Sequence, residues 1–231
     1  MRRRASHHVR VLLLVGLLPA LALVVGACGD VAIAPEATPV VGSGDVISED
    51  RTAGPVERIS VAAAIDVVVQ VGTPGSVTLT AQPDILPLVS TEVRDGQLIV
   101  HVPRPGYTTT MPVQLTVITP KVTAVTLSGG ARGLIEMSGG SLALDLSGGA
   151  SIEGVGSLDT LHLTASSDAD VVFARMVVDA CTLAMSGGSA AELDVTSRLD
   201  GEVSGGATVT LTRPVPTMTV QTTSGGSVQG G

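Results

Sequence analysis

The chain has almost no aromatic side chains. Among its 231 residues there are one Tyr, one Phe and no Trp, although 44% of the residues are hydrophobic. Most globular cores use aromatic rings to fill space. The composition therefore argues against an aromatic-rich core and favours a narrow interior of Leu, Ile, Val and Ala. Asn is also missing, which excludes Asn-linked glycosylation sites.

Basic residues are scarce as well. Lys121 is the only lysine, and four of the 13 basic residues lie within the first ten positions. From residue 11 onward, nine basic residues face 21 acidic ones, giving a formal net charge of −12. Such a surface repels phosphate backbones, so we expect no nucleic-acid partner.

The chain has one long apolar run, at its beginning. "MRRRASHHVR" is basic, and "VLLLVGLLPALALVV" carries no charge from Val11 to Val25. A membrane-spanning helix needs about 20 residues, whereas this run has the length of a signal-peptide core. The following Val25-Gly26-Ala27-Cys28 resembles the lipobox of bacterial lipoproteins. The resemblance implies a signal peptide over residues 1–27 and a lipid anchor on Cys28. The alternative is ordinary cleavage that leaves Cys28 as an unmodified thiol.

Cys181 is the only other cysteine, so we expect no internal disulfide with a lipidated Cys28. In "ACTLAMSGG", Cys181 shares the parity of Leu183 and Met185, which predicts a buried apolar residue rather than a reactive thiol. Residues 28–54 are dominated by Pro, Gly, small and acidic residues without a period. This composition predicts a disordered tether between the membrane and the folded part.

The step Ser-Gly-Gly recurs through the second half of the chain. Aligned on Ser, positions 128, 147, 166, 186, 204 and 224 are separated by 19, 19, 20, 18 and 20 residues, with Ser-Ser-Asp at 166 as a degenerate copy. Such spacing predicts stacked coils whose corners need glycine, because glycine accepts positive φ and fits where a side chain does not. Serine hydroxyls at the corner could bond neighbouring backbone. The predicted structural residues are Ser128, Gly129, Gly130, Ser147, Gly148, Gly149, Ser186, Gly187, Gly188, Ser204, Gly205 and Gly206.

Between these steps, apolar residues alternate with a period of two and keep their phase from one coil to the next. Three columns result: Leu142, Leu161, Cys181 and Leu199; Leu146, Ala165, Met185 and Val203; Ile152, Val171, Ala191 and Val209. This pattern predicts an all-β fold, a parallel β-helix-like β-solenoid with coils of about 19 residues. A β-sandwich is the competing architecture, but it gives no reason for one tripeptide to recur in register.

Residues 55–120 carry strand patterns without the signature. The turn at Arg94-Asp95-Gly96-Gln97 predicts a hairpin. We interpret this part as an N-terminal β layer of one domain spanning residues 55–231, with the repeats in residues 121–231.

A family resemblance supports this organisation. The order "RISVAAAIDVVVQVG", "VTLTAQPDILPLVSTEVRDGQLIVHV", "PVQLTVITPKVTAVTLSGGA" and recurrent "SGGA" and "SGGS" resembles the putative auto-transporter adhesin, head GIN domain family over roughly residues 56–227. The resemblance implies bacterial, exported, often lipid-anchored β-solenoid proteins of unknown biochemical role. It supplies no catalytic residues.

Motifs for chemistry are sparse. The sequence holds no phosphate-binding loop and no zinc-type His spacing, so we expect no metal and no cofactor. His162 is expected to be a solvated surface residue. One constellation favours an enzyme: Asp168 and Asp170 could form a carboxylate pair of a polysaccharide-acting β-helix. Outward acids are also expected from the net charge alone. The main prediction is a non-enzymatic envelope protein, held on the membrane by lipid, that binds an envelope protein or a glycan or has a structural role.

Overall fold

The computed structural model describes residues 38–51 and 54–231. These residues contain β-strands, turns and one short 3-10 helix, Leu86–Leu88, and no α-helix, so the predicted all-β class is confirmed. The strands are β1 (Val40–Val41), β2 (Ile47–Arg51), β3 (Arg58–Ala62), β4 (Asp66–Val71), β5 (Ser76–Ala81), β6 (Ser90–Arg94), β7 (Gln97–His101), β8 (Tyr107–Thr108), β9 (Gln114–Thr119), β10 (Ala124–Ser128), β11 (Arg132–Ser138), β12 (Ser141–Leu146), β13 (Ser151–Ala165), β14 (Asp170–Met185), β15 (Ala190–Val203), β16 (Thr208–Leu211), β17 (Thr217–Thr222) and β18 (Ser227–Gly230).

Parallel strands stack into two faces that enclose one core. The first face, face A, runs in space through β6, β7, β3, β10, β12, the second halves of β13, β14 and β15, and β17. Face B runs through β2, β5, β9, β4, β11, the first halves of β13, β14 and β15, β16 and β18. Each coil passes along face A, turns a corner and returns along face B. The result is a β-solenoid of about six turns with coils about 19 residues apart, as predicted.

The predicted apolar columns are confirmed. Leu142 pairs with Leu161, Leu161 with Cys181, and Cys181 with Leu199, and each of these residues is at most 1% exposed. On face B, Ile152 pairs with Val171. The same column of inward-facing side chains extends to Val209. The core therefore consists of aliphatic stacks, which explains how the fold forms with one buried aromatic ring.

The order of the first coils in space differs from their order in the chain. The coil of β3 and β4 lies between the coil of β7 and β9 on one side and that of β10 and β11 on the other. Along the chain, the second layer, formed by β3 and β4, therefore comes first. After Val71 the chain forms the outer layer of β7 and β9, and the repeats then continue on the other side of the second layer. Uniform periodicity cannot reveal this crossover, because residues 72–123 carry no Ser-Gly-Gly step.

Antiparallel strands close the end of the solenoid that β7 and β9 form. On face A, β6 pairs antiparallel with β7 through the predicted hairpin turn, where Asp95 and Gly96 have φ of 49° and 74°. On face B, β5 pairs antiparallel with β9, and β2 with β5. Charged side chains on β2 and β6 mark these outer edges, which is a common protection against strand addition.

The prediction of a disordered tether over residues 28–54 is wrong for β1 and β2. Val40 and Val41 pair with β8, and the strand Ile47–Arg51 pairs with β5. The buried Gln82 amide holds this segment by donating to the Gly44 carbonyl at 2.9 Å, while Thr109 donates to Gln82 at 2.7 Å. The composition gave a wrong prediction because β2 is an exposed edge strand, so apolar and polar residues need not alternate along it.

A backbone ladder joins the corners. The amide of the second turn residue donates to the carbonyl of the first turn residue in the next coil: Gly130 to Gly148, Gly149 to Ser167, Asp168 to Gly187, Gly188 to Gly205 and Gly206 to Ser224, at 2.9–3.2 Å. Both turn residues have positive φ in every one of these coils. Gly187 shows why glycine is needed, since a Cβ there would lie 2.9 Å from the Ser167 backbone nitrogen.

Two details of the corner differ from the sequence reasoning. Among the signature serines of the described coils, only the Ser204 hydroxyl donates to a neighbouring backbone carbonyl, that of Met185. The ladder is therefore made of backbone groups. In the last coil, Ser224 occupies the position of the first turn glycine, with φ of 50°. Strand pairing gives a spacing of 19 residues between the last two coils, whereas alignment on Ser gives 20.

The one buried aromatic ring fits a gap left by a glycine. Phe173 is fully buried, and a Cβ on Gly154 in the preceding coil would lie 2.7 Å from its ring and 3.0 Å from Met176 Cε. Gly154 and Phe173 thus form a small–large pair within a column of Ile and Leu residues.

A charge in an apolar column should unfold the solenoid. Leu163 is 2% exposed, so we expect Leu163→Asp to lower the free energy of unfolding by several kcal/mol, since an unpaired carboxylate would be buried. Thr164→Asp is the matched control, because Thr164 lies next in the same strand and is exposed. Urea denaturation measures both. Equal stability of the two variants would contradict the columns.

The Gly154–Phe173 fit predicts a coupling. Gly154→Ala should cost about 1–3 kcal/mol, because the new methyl group overpacks the core against the ring. In a Phe173→Leu background the same change should cost at least about 1 kcal/mol less. A double-mutant cycle by urea denaturation tests this expectation. Additive effects would mean that the two residues do not share one space.

Candidate functional site

The outer surface of the solenoid is the candidate binding site, since the interior is filled by side chains. The outward positions of the middle strands on face A hold mostly small residues: Ala124, Thr126, Ala143, Asp145, His162, Thr164, Thr182 and Ala184. His162 is exposed, as predicted. Short side chains on stacked strands give a surface with little rotamer freedom, which lowers the entropic cost of binding.

Almost all basic side chains are engaged within the molecule. Nine basic and nineteen acidic residues lie in the described ranges. Seven of the basic ones form ion pairs: Arg51–Glu49, Arg94–Glu92, Lys121–Glu57, Arg132–Asp66, Arg175–Glu153, Arg198–Asp200 and Arg213–Asp194. Arg58 donates to the Asp95 carbonyl. Twelve carboxylates in this part of the chain therefore have no cationic side chain beside them, so the described surface carries an excess of negative charge.

Asp194 forms the most buried of these pairs. Its side chain is 7% exposed and accepts hydrogen bonds from the Arg213 guanidinium at 2.7 Å and the Thr212 hydroxyl at 2.9 Å. Sequence reasoning did not single out this pair. The sequence did contain a signal for this ion pair, because Asp194 and Arg213 are 19 residues apart, which is the length of one coil. The pair ties the turn after β16 to β15 and is structural in its setting.

Asp168 and Asp170 lie in different local settings. Asp168 occupies the corner turn with φ of 60°, whereas Asp170 lies on face B between Ser151 and Ala190 of the neighbouring coils. Across residues 38–51 and 54–231, no group of three or more His, Cys, Asp or Glu side chains could hold a metal ion.

Open grooves lie in the first half of the solenoid. One of about 510 Å³ opens where the chain leaves β4, and apart from Lys121 its lining is apolar, hydroxyl-bearing or glycine: Val71, Pro120, Lys121, Val122, Thr123, Met137, Ser138, Gly139, Gly140 and Ser141. The Lys121 ammonium points to Glu57, 3.4 Å away. A smaller depression of about 230 Å³ lies on face A beside Ser166 and Ser186. Both are open to solvent, so they suit contact with a surface better than enclosure of a small molecule.

Cys181 is a core residue. It is 1% exposed between Leu161 and Leu199, and burial raises the pKa of its thiol to about 12. The thiolate that nucleophilic chemistry requires is therefore suppressed at neutral pH.

The remaining predicted residues fall into two groups. The glycines of the Ser-Gly-Gly steps occupy the corner turns, where they serve the stacking of coils. Cys28, the signal peptide over residues 1–27 and the first part of the tether lie outside the described residues. Within the described part of the chain, no helix is long and apolar enough to cross a membrane.

Comparisons with known proteins agree on the fold. A family model described as "Putative auto-transporter adhesin, head GIN domain" matches residues 56–213. A putative adhesin from Bacteroides fragilis NCTC 9343 superposes with a TM-score of 0.67 at 12% identity, covering 83% of this chain and 99% of the other. Putative adhesins from Parabacteroides merdae ATCC 43184 and Parabacteroides distasonis ATCC 8503 give TM-scores of 0.53 and 0.52 at 16% and 18% identity; they cover 84% and 83% of this chain and 100% and 99% of theirs. No curated protein sequence matches this chain.

The environment of Cys181 predicts a protected thiol. Because burial raises its pKa to about 12, Cys181 should resist iodoacetamide at pH 8.5 in the folded protein and react once urea unfolds the chain. The unfolded thiol ionises near pH 9, so the free energy of unfolding should also fall as pH rises from 9 towards 12. Mass spectrometry of a Cys28→Ser variant measures the labelling. Rapid alkylation without denaturant would contradict this burial.

Proposed function

The chain belongs to the putative auto-transporter adhesin, head GIN domain family, and on that premise we propose that it is an exported, lipid-anchored envelope protein whose acidic β-solenoid binds a cationic partner. Family membership supports a binding or adhesion role at the cell surface. The proposal adds three points to this role: the lipid anchor, recognition of the partner by acidic side chains, and binding without catalysis.

The charge distribution carries the proposal. The basic side chains of the described residues are largely used in internal ion pairs, and twelve carboxylates remain without one. A partner with exposed Lys or Arg residues, or an amine-bearing glycan, would be attracted over a Debye length and held by many weak contacts. The stacked coils supply a firm surface for those contacts.

The anchor is supported by the sequence around Cys28. The basic start, the apolar run Val11–Val25 and the lipobox-like Val25-Gly26-Ala27-Cys28 occur in the order that lipoprotein processing requires. Eleven residues separate Cys28 from Val40, the first residue of β1. Fully extended, they reach at most about 40 Å, so the solenoid would stay near the membrane rather than at the end of a long stalk.

The enzyme alternative, hydrolysis of polysaccharide by Asp168 and Asp170, has no comparable support. The two residues have different settings, since Asp168 lies in a corner turn and Asp170 on a strand of face B. We therefore propose binding without catalysis.

The anchor is tested by metabolic labelling with a clickable fatty acid. Wild-type chain and Cys181→Ala should carry the label and partition into detergent, whereas Cys28→Ala should lose both properties. Cys181→Ala is the matched control because it removes the other cysteine of the chain. Label retained in Cys28→Ala would refute the anchor and leave the binding proposal untouched.

Charge-dependent binding is tested with envelope extracts and glycan arrays. Retention of partners should fall at least about tenfold between 50 mM and 500 mM NaCl, since salt screens exposed charges. A variant with Asp145→Asn, Asp168→Asn, Asp170→Asn and Glu192→Gln should bind more weakly, whereas Thr126→Ser, Thr164→Ser and Thr182→Ser together should bind like wild type. Binding that is unaffected by salt and by the neutralised acids would overturn the cationic partner.

A further inference from the structure

Exposed apolar side chains gather beside the outermost coil, where β1 and β2 join the β-solenoid. Val41 is 72% exposed, Ile47 50% and Met111 39%. These three residues are named the entry patch below. Among the described residues, three other large hydrophobic side chains are exposed, and they belong to other coils: Val71, Val177 and Met218.

Gln82 brings two members of the entry patch together. Gly42, next to Val41, packs directly on the Gln82 side chain, because a Cβ at Gly42 would overlap Gln82 Oε1. Ile47 pairs with Ala81, the residue before Gln82. The segment from Val41 to Ile47 therefore lies across Gln82.

Met111 reaches the same place from the loop that joins β7 to β9. The Thr109 hydroxyl, which donates to Gln82 Oε1 at 2.7 Å, accepts a hydrogen bond from the Met111 amide at 2.9 Å. The same loop carries Thr108, which pairs with Val41. The three side chains of the entry patch thus share one region of the surface.

An unpaired cation adjoins the entry patch. Of the nine basic residues in ranges 38–51 and 54–231, Arg104 alone has neither an ion pair nor a side-chain hydrogen bond to another described residue. Arg104 lies in a turn that ends at Gly106, whose carbonyl accepts from the Val40 amide at 3.1 Å. Residues 96–135 are also the longest stretch of the chain without Asp or Glu. This part of the surface therefore departs from the acidic character of the rest.

We propose that the entry patch rests on the surface of the lipid bilayer that holds the Cys28 anchor, with Arg104 at the lipid phosphates. This inference rests on the proposed lipid anchor. Eleven residues, which reach at most about 40 Å, separate Cys28 from Val40, so the anchor keeps the entry patch within reach of lipid. Exposed apolar side chains beside a cation suit the boundary between headgroups and acyl chains.

The contact is mainly apolar. Asp45 lies within the segment from Val41 to Ile47 and offsets the charge of Arg104, so attraction to anionic lipid is weak. Contact through the entry patch keeps the outermost coil next to the bilayer. The Ser-Gly-Gly coils, which follow on the other side of β3 and β4, remain available to a partner.

The test uses the full lipidated chain reconstituted in vesicles of phosphatidylcholine and phosphatidylglycerol. The fluorophore NBD is attached to Met111→Cys, and Val177→Cys, an exposed apolar position of β14, is the matched control. The wild-type chain should stay unlabelled, because Cys181 is buried and Cys28 carries the lipid. A phospholipid with a nitroxide headgroup should quench NBD at position 111 at least about three times more than at position 177, since only the former touches lipid.

A second substitution tests the apolar contact. In the Met111→Cys background, Val41→Asp should reduce the quenching at least about threefold, because a carboxylate resists transfer out of water. Ala143→Asp, at an exposed position of a middle coil, should leave the quenching unchanged. Protease resistance of each variant reports that the solenoid is folded.

Flotation of the vesicles separates this proposal from the anchor. A wild-type chain that does not float with the vesicles would refute the anchor and this surface with it. A chain that floats but is quenched equally at positions 111 and 177, or is insensitive to Val41→Asp, would overturn the contact and leave the anchor intact. Shielding of position 111 from iodide without quenching by the lipid nitroxide would mean that protein covers the patch, which also overturns the contact.

Discussion

The structure depends on hydrogen bonding between successive coils, and the corner ladder sets its register. At each corner the chain must reverse within two residues while an amide reaches the next coil, from Gly130 to Gly148 and onward. Once the corners coincide, the flanking strands are placed in register, and Leu, Ile and Val residues stack on like residues. A one-residue slip would move every apolar side chain to the outer surface, so this repeated turn decides the fold.

Because the corner turn repeats in every coil, much of the fold can be predicted from the sequence. The columns through Leu142 and Ile152 follow from a period of two inside a period of 19, and the structure places them as predicted. Ser167 and Asp168 show where a motif fails as a guide, because they adopt the left-handed turn without glycine. The strand Ile47–Arg51 and the crossover that puts β7 and β9 outside β3 and β4 escaped prediction. Both depend on long-range pairing of non-repeating segments, which no local period encodes.

The candidate surface was less predictable than the fold, for a related reason. Net charge predicted an acidic exterior, but which acids remain unpaired depends on partners from neighbouring coils. Arg213 reaches Asp194 one coil away, and Arg175 reaches Glu153 in the preceding coil. Sequence proximity suggested Asp168 and Asp170 as a unit, whereas the corner separates their settings. In a solenoid, side-chain neighbours therefore lie about one coil apart in sequence as well as two residues apart, as in Arg198–Asp200.

A stack of coils also faces a problem that compact folds lack, because each end exposes the edges that the interior satisfies. Here the end near β7 and β9 is closed by the chain itself, through β5, β6 and β2, with charges on the outer strands. The hydrogen bonding that joins one coil to the next is therefore completed at this end by strands of the opposite direction, β5 beside β9 and β6 beside β7. Among the described strands, none pairs antiparallel with β17 or β18, and Met218 is 55% exposed whereas Leu199, one coil inward in the same column, is fully buried.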